Sequence, residues 1–139
     1  MTASTDVIRV LLVDDHAIFR AGLRALLGTV QGLQVVGEAS DGTEALELIE
    51  KTKPDVVIMD LEMPGGDGLT ATAKIARMNP RPKVLILTMH SEEDRLISLL
   101  TAGASGFLLK DAPRASLVQA VRSVVAGDTG GRAGQQIVE

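Results

Sequence analysis

The stretch Val7-Ile8-Arg9-Val10-Leu11-Leu12-Val13-Asp14-Asp15-His16 is an almost unbroken run of β-branched and leucine residues that stops on two aspartates. Such a run is expected of a strand buried on both faces, as in a parallel sheet covered by helices on either side. Three further runs stop on a functional group in the same way: Val56-Val57-Ile58-Met59 on Asp60, Val84-Leu85-Ile86-Leu87 on Thr88, and Gly106-Phe107-Leu108-Leu109 on Lys110. After the first run the apolar period becomes helical, with Phe19, Leu23, Leu26, Leu27 and Val30 on one stripe of a helix that begins near His16. Side chains at the ends of parallel strands gather at one edge of the sheet, where open α/β sheets bind ligands.

The remaining elements follow from period and punctuation. A weaker strand is expected around Leu33 to Glu38. Asp41, with Glu44 three residues on, reads as an acidic analogue of a capping box and opens a helix carrying Ala45, Leu46 and Ile49. Pro54 stops that helix, and a third strand covers 55–60. The turn Met63-Pro64-Gly65-Gly66-Asp67-Gly68 leads into a helix reaching about Met78, closed by Asn79-Pro80-Arg81-Pro82. Lys83 to Thr88 forms the fourth strand. Ser91 is the expected N-cap of the next helix, with Asp94 in its first turn and Gly103 at its end. Residues 106–109 make the fifth strand, and Pro113 is placed at the first position of the last helix, whose stripe is Leu117, Ala120, Val121 and Val124. Five strand–helix units with short connections imply right-handed crossovers and one α/β domain, a flavodoxin-like (βα)5 doubly wound parallel sheet of order 2-1-3-4-5. Strands one and three are then neighbours, which brings Asp14 and Asp15 beside Asp60. The expected division is a domain over 6–126 and a glycine-rich, flexible linker over 127–139.

Bulk properties narrow the function. A chain of 139 residues with 45% hydrophobic residues has room for one substantial core. Its net charge of -4 and its pI near 5.2 speak against a nucleic-acid surface. The nearest basic cluster, Lys74, Arg77, Arg81 and Lys83, reads as a solvated helix end and loop. Without cysteine there are no disulfides, thiolate metal sites or thiol nucleophiles. No apolar stretch approaches the roughly 20 residues of a membrane span, and the first residues lack a signal-peptide core. A soluble, cytoplasmic protein with no membrane contact is the expectation.

Three carboxylates, a hydroxyl and an ammonium at one sheet edge suit a divalent cation and a phosphoryl group. Two carboxylates about 4 Å apart repel by about 1 kcal/mol in water and about 4 kcal/mol at an effective dielectric near 20. Asp14, Asp15 and Asp60 therefore want a cation between them. Few hard oxygen ligands, with positions left for water and phosphate, favour Mg2+ over zinc or calcium. A carboxylate beside that ion is a reasonable nucleophile toward phosphorus, and Lys110 adds positive charge for the phosphoryl oxygens. His16 lies next to these residues but reads as a first-turn residue, not a ligand. Gly66-Asp67-Gly68-Leu69-Thr70-Ala71 formally fits a dinucleotide fingerprint, but a loop separates it from its strand and no acidic residue closes the next strand.

The segments Leu11-Leu12-Val13-Asp14-Asp15-His16, residues 56–69, Val84 to Thr88 and Gly103 to Asp111, in that order, resemble the receiver domain of bacterial two-component response regulators over about Val7 to Gly127. The resemblance implies that Asp60 accepts a phosphoryl group from a sensor histidine kinase. It implies Mg2+ held by Asp15 directly, by Asp14 mainly through water, by Asp60, and by the backbone carbonyl of Glu62. Thr88 would bind a phosphoryl oxygen and Lys110 would pair with the phosphoryl group. Thr88 and Phe107 would form the switch, Phe107 packing into the space that Thr88 vacates. The responding surface would be helix four, strand five and helix five, where Leu96, Leu99 and Leu100 look apolar enough to support a partner. Such a domain is not an enzyme beyond catalysing its own phosphorylation and dephosphorylation.

Asp14-Asp15-His16, the segment 103–112 and the glycine-rich exit resemble the NarL/FixJ branch, whose members usually continue into a LuxR-type helix-turn-helix. The resemblance therefore implies transcription regulation, homodimerisation on phosphorylation, and DNA contact only through that further domain. The alternatives are a stand-alone phosphorelay receiver and a constitutive pseudo-receiver dimerisation module. An aspartyl-phosphate phosphatase would carry a second aspartate two residues after the nucleophile, where this chain has Glu62. Asp111 stands where many receivers have proline, leaving the isomer of the Lys110–Asp111 bond open. Met89 is large for its position and would narrow access to the phosphoryl site, while Glu62 and His90 flank that site and should tune the phosphoryl lifetime.

Overall fold

The structure, a computed structural model, describes residues 7–63, 67–89 and 93–127, with only the backbone described for 67 and 93–96. Five strands and five helices alternate: β1 (Ile8–Val13), α1 (Ala17–Gly28), β2 (Leu33–Ala39), α2 (Gly42–Thr52), β3 (Val56–Asp60), α3 (Asp67–Ile75), β4 (Lys83–Thr88), α4 (Glu93–Ala102), β5 (Gly106–Leu109) and α5 (Arg114–Val125). All pairings are parallel, in the order β2-β1-β3-β4-β5. This is the single flavodoxin-like sheet that the run-and-stripe pattern predicts.

The near-continuous apolar runs are explained by a core on each face of the sheet. Leu11, Val13, Val57, Met59, Val84, Ile86 and Phe107 point to one side, with Ala45, Ile49, Ile75 and Leu99. Val10, Leu12, Val56, Ile58, Leu85, Leu87 and Leu108 point to the other, with Leu23, Leu27, Leu117 and Val121. Each fully buried aliphatic side chain contributes about 1.5–3 kcal/mol. The central strands are therefore the most strongly fixed part of the molecule, and they fix the register that builds the site. Val13 pairs with Met59, Asp60 with Leu87 and Thr88 with Leu109. Asp14 and Asp60 thus leave adjacent strands side by side, with Lys110 one step beyond Thr88.

Local chemistry matches most of the expected helix ends. The Asp41 side chain accepts from the Glu44 N–H at 2.8 Å, while Glu44 reaches back to the N–H and hydroxyl of Ser40, one residue before the cap. Pro113 is the N-cap of α5 with an extended ψ of 154°, so the helix opens at Arg114 and not on the proline. The third helix ends at Ile75, short of Met78, because Arg77 and Met78 donate to carbonyls only three residues back and tighten its exit into a turn. Lys74, Arg77, Arg81 and Lys83 are all exposed, in keeping with a solvated cluster. Among the described residues the only cis peptide is Asn79–Pro80, and Lys110–Asp111 is trans. Pro64, Gly65, Gly66, His90, Ser91 and residues 128–139 lie outside the described residues, as do the side chains of Asp94 and Leu96.

Leu99 and Leu100 correct the expected partner-facing pattern. Leu99 is buried in the core and Leu100 packs against it, whereas Ile97 is 53% exposed. Both leucines belong to the helix's inward stripe.

Gly68 brings α3 onto the end of β3. A Cβ there would stand 2.8 Å from the Leu61 Cα and 2.9 Å from the carbonyl oxygens of Asp60 and Leu61. Those neighbours are backbone and cannot rotate aside. Gly68→Ala gains up to about 1 kcal/mol of helix propensity, yet overpacking of about 1–3 kcal/mol outweighs it. We expect a net loss of about 1–2 kcal/mol in urea unfolding, and a neutral or stabilised variant would contradict this packing.

Candidate functional site

The C-terminal edge of the sheet collects Asp14, Asp15, Asp60 and Lys110. One ligand atom from each of Asp14, Asp15, His16 and Asp60 lies within 4.8 Å of all the others. The Lys110 Nζ stands 3.2 Å from Asp14 Oδ2 and 3.2 Å from Asp60 Oδ2, with its side chain 8% exposed. Lys110 also sits over the Phe19 ring at 4.5 Å, an apolar floor with a negative π face that favours the ammonium there.

This balance of charge is incomplete. Among the described residues, three carboxylates face one lysine ammonium, so the cluster carries more negative charge than Lys110 offsets. Among the described residues, three buried oxygens, Asp14 Oδ2, Asp15 Oδ1 and Asp60 Oδ2, have no hydrogen-bond partner; for two of them the Lys110 ammonium is only an ion-pair neighbour. Orphaned carboxylate oxygens converging on one point are the arrangement a divalent cation resolves. Burial, and then the neighbouring Asp14 carboxylate, push Asp60 up to about 6; the Glu62 N–H and the Lys110 charge pull the other way. Asp60 is 1% exposed, and its Oδ1 accepts the Glu62 N–H at 3.0 Å, leaving Oδ2 toward the cluster.

His16 reaches further into the cluster than a first-turn residue need. Its Nδ1 is 3.2 Å from Asp14 Oδ1, 3.4 Å from Asp15 Oδ1 and 3.8 Å from Asp60 Oδ2. Its N–H also donates to Asp14 Oδ1 at 2.7 Å. The ring is 61% exposed, so it is not a fixed ligand held by packing.

Thr88 and Phe107 differ in their surroundings. Thr88, fully buried at the end of β4, donates its hydroxyl to Glu62 Oε2 at 2.6 Å. Phe107 is 6% exposed and already part of the core. Any repacking of its ring therefore exchanges one buried position for another, and little hydrophobic gain is available from it. Met89 is 62% exposed, turned toward solvent.

Sequence reasoning missed the brace behind the cluster. Arg20 donates from Nη1 to the Asp14 carbonyl and from Nε to Glu38 Oε1 at 2.9 Å, and Arg24 donates to Glu38 Oε2. The Arg24 guanidinium, followed by Arg20, holds Glu38 below the usual carboxylate range. Arg20 follows Phe19 in α1, and Glu38 lies near the end of β2, so only the β1–β2 pairing reveals that they meet.

The comparisons agree with the fold. Residues 10–122 match the response regulator receiver domain family, and the chain belongs to that family. It is 48% identical over 121 residues to the response regulator GacA of Pseudomonas viridiflava, covering 87% of this chain and 56% of that protein. A two-component response regulator of the LuxR family from Aurantimonas sp. SI85-9A1 superposes with a TM-score of 0.85 at 40% identity, covering 94% of this chain and 95% of that one. The signal receiver domain of NarL from Mycobacterium tuberculosis gives 0.82 at 41% identity, covering 88% and 98%. The chain thus has the receiver domain of LuxR/NarL-type response regulators, and it spans about half the length of the curated relative it matches. Among the described residues no helix is long and apolar enough to cross a membrane.

Proposed function

We propose that Asp60 accepts a phosphoryl group from a phosphohistidine of a sensor histidine kinase. The observation that carries this is a buried carboxylate at the end of β3, with one oxygen fixed by the Glu62 N–H and the other unsatisfied beside Lys110. An Asp60 oxygen attacks phosphorus, the P–N bond to the donor imidazole breaks, and that nitrogen keeps the electron pair and takes up a proton. Asp14, Asp15, Asp60 and the Glu62 carbonyl would hold Mg2+, which the orphaned oxygens fit. A bound Mg2+ neutralises phosphoryl oxygens and favours in-line attack. Lys110 pairs with the transferred group, and Thr88 donates its hydroxyl to it. The same residues would serve dephosphorylation, in which water attacks phosphorus, the bond to the Asp60 oxygen breaks and inorganic phosphate leaves, so the domain's chemistry is confined to its own phosphorylation and dephosphorylation.

The group adds roughly 1.5–2 negative charges. Moving a 1:99 equilibrium to 99:1 needs about 5.5 kcal/mol of differential stabilisation, which a few charge-assisted hydrogen bonds of about 1.5–3 kcal/mol each can supply, less the resting bonds they replace. Thr88 and Phe107 would pass this to α4, β5 and α5. We place the receiver over 6–126 and read 127–139 as a linker to a DNA-binding output domain, in keeping with relatives that extend well beyond this chain. For phosphorylation-dependent homodimerisation, the face between α1 and α5 is favoured. Ile18 is 90% exposed there, beside an apolar groove of about 680 Å³ lined by Leu23, Leu26 and Leu117.

The deciding experiment is incubation with a small acyl phosphate. Incorporation of one hydroxylamine-sensitive phosphoryl group, dependent on Mg2+, is expected; no incorporation at any Mg2+ concentration would leave the pseudo-receiver alternative.

A further inference from the structure

Glu62 lies two residues beyond the proposed acceptor, and its carboxylate makes bonds to the neighbouring strand. Oε2 accepts the Thr88 hydroxyl at 2.6 Å, and Oε1 accepts the Met89 backbone N–H at 3.2 Å. Its own N–H donates to Asp60 Oδ1 at 3.0 Å. One residue therefore ties the end of β3 to the end of β4, with Asp60 on its backbone side and Thr88 and Met89 on its side-chain side.

We propose that the Glu62 carboxylate is a latch that holds Thr88 and Met89 in the unphosphorylated arrangement and competes with the phosphoryl group for the Thr88 hydroxyl. This rests on the phospho-acceptor reading of Asp60. A threonine hydroxyl has one proton to donate. While that proton goes to Glu62, it is not available to a phosphoryl oxygen. Both competing acceptors are anionic, so Thr88 trades one charge-assisted bond for another, and the gain on activation is the difference between them. Glu62 is thus a positioning residue that sets how far the resting equilibrium lies from the active one.

The same geometry opens the latch. A phosphoryl group on Asp60 adds negative charge two residues from a carboxylate that shares a partner with it. Repulsion disfavours the Glu62 position as the new acceptor recruits Thr88. Once Glu62 leaves, the Met89 N–H loses its acceptor as well. The first residue after β4 is then released from β3, and the charge at Asp60 reaches the connection toward α4 through a bond broken as well as a bond made.

Beryllofluoride with Mg2+, a phosphoryl mimic, measures the latch on the intact chain by calorimetric titration. Glu62→Ala keeps the backbone carbonyl and N–H, removes both side-chain bonds, and should bind the mimic about tenfold tighter than the parent, or about 1.4 kcal/mol. Because the Glu62 carbonyl would also hold the cation and its side-chain charge lies near, Mg2+ is titrated alone in each variant and the mimic affinities are compared at saturating Mg2+. Glu62→Gln loses the charge but keeps an acceptor for Thr88, and should tighten binding threefold or less. In a Thr88→Ala background the Glu62→Ala gain should largely vanish, as coupling through one bond requires. Hydrogen exchange at the Met89 amide should accelerate in ligand-free Glu62→Ala.

A Gln variant that tightens as much as Ala, or a gain that persists undiminished without the Thr88 hydroxyl, assigns the effect to charge alone and overturns the latch. A parent that binds the mimic while Glu62→Ala binds no tighter also overturns it, and leaves the phospho-acceptor reading standing. A parent that fails to bind the mimic removes that reading, and the latch falls with it.

Discussion

Asp60→Asn is expected to abolish the hydroxylamine-sensitive label and, without metal, to make the domain more stable by about 1–2 kcal/mol, or roughly 4–8 °C in melting temperature. The two effects have one cause. An amide cannot attack phosphorus, and an uncharged group at the end of β3 no longer adds to the repulsion with Asp14. Burial and that repulsion already push Asp60 up to about 6 from an ordinary 3.8. One pKa unit corresponds to 1.36 kcal/mol, and water at the open mouth screens part of the difference. Because the folded protein holds this proton more tightly than the unfolded chain, the stability linked to it is present below about 3.8 and lost as pH rises through about 6. The stabilisation by Asn should therefore be largest above pH 6 and should fade toward pH 4. Added Mg2+ should raise the parent's melting temperature and move the variant's little. A variant that keeps the label would remove Asp60 from its role, and one less stable than the parent at pH 7 would contradict the charge balance.

The apolar runs carried the fold because each strand is covered on both faces, which leaves few ways to read Val10 to Val13 or Val56 to Met59. Once the order 2-1-3-4-5 is set, the register makes neighbours of Asp14 and Asp60, since both follow paired residues, Val13 and Met59. Lys110 was legible for the same reason. What stayed hidden depends on side-chain direction across elements distant in sequence. Arg20 reaches the Asp14 carbonyl and Glu38, Phe19 lies beneath Lys110, and the Glu62 side chain finds Thr88 across 26 residues. Leu99 was misread because a helical stripe gives a face without saying which way it turns. Gly68 fits a dinucleotide fingerprint only formally, and the contact of α3 with the Asp60–Leu61 backbone shows why a side chain is excluded there.

Lys110→Met is expected to cost the metal-free domain about 3 kcal/mol at pH 7, the low end for removing one partner of a buried ion pair. Methionine keeps much of the lysine stem's volume against Phe19, so the loss measures charge more than packing. Without the ammonium at 3.2 Å, the Asp14 and Asp60 carboxylates have, among the described residues, no positive neighbour within ion-pair distance except a protonated His16. Lys110 lowers the Asp60 pKa, so its removal lets Asp60 hold a proton to higher pH, and the cost should shrink as the solution is acidified toward pH 5. Mg2+ should restore most of the lost stability and bind at least tenfold tighter than in the parent, about 1.4 kcal/mol, because the lysine no longer opposes a dication at the same oxygens. Phosphoryl uptake should nevertheless fall, since the group that pairs with the phosphoryl oxygens is gone. Tighter metal with weaker phosphorylation separates the two tasks of this cluster. Unfolding and Mg2+ titration of the two proteins side by side decide it. Unchanged stability and unchanged Mg2+ affinity would mean that the ammonium does not neutralise these carboxylates in solution, and the charge-based account of the site would have to be abandoned.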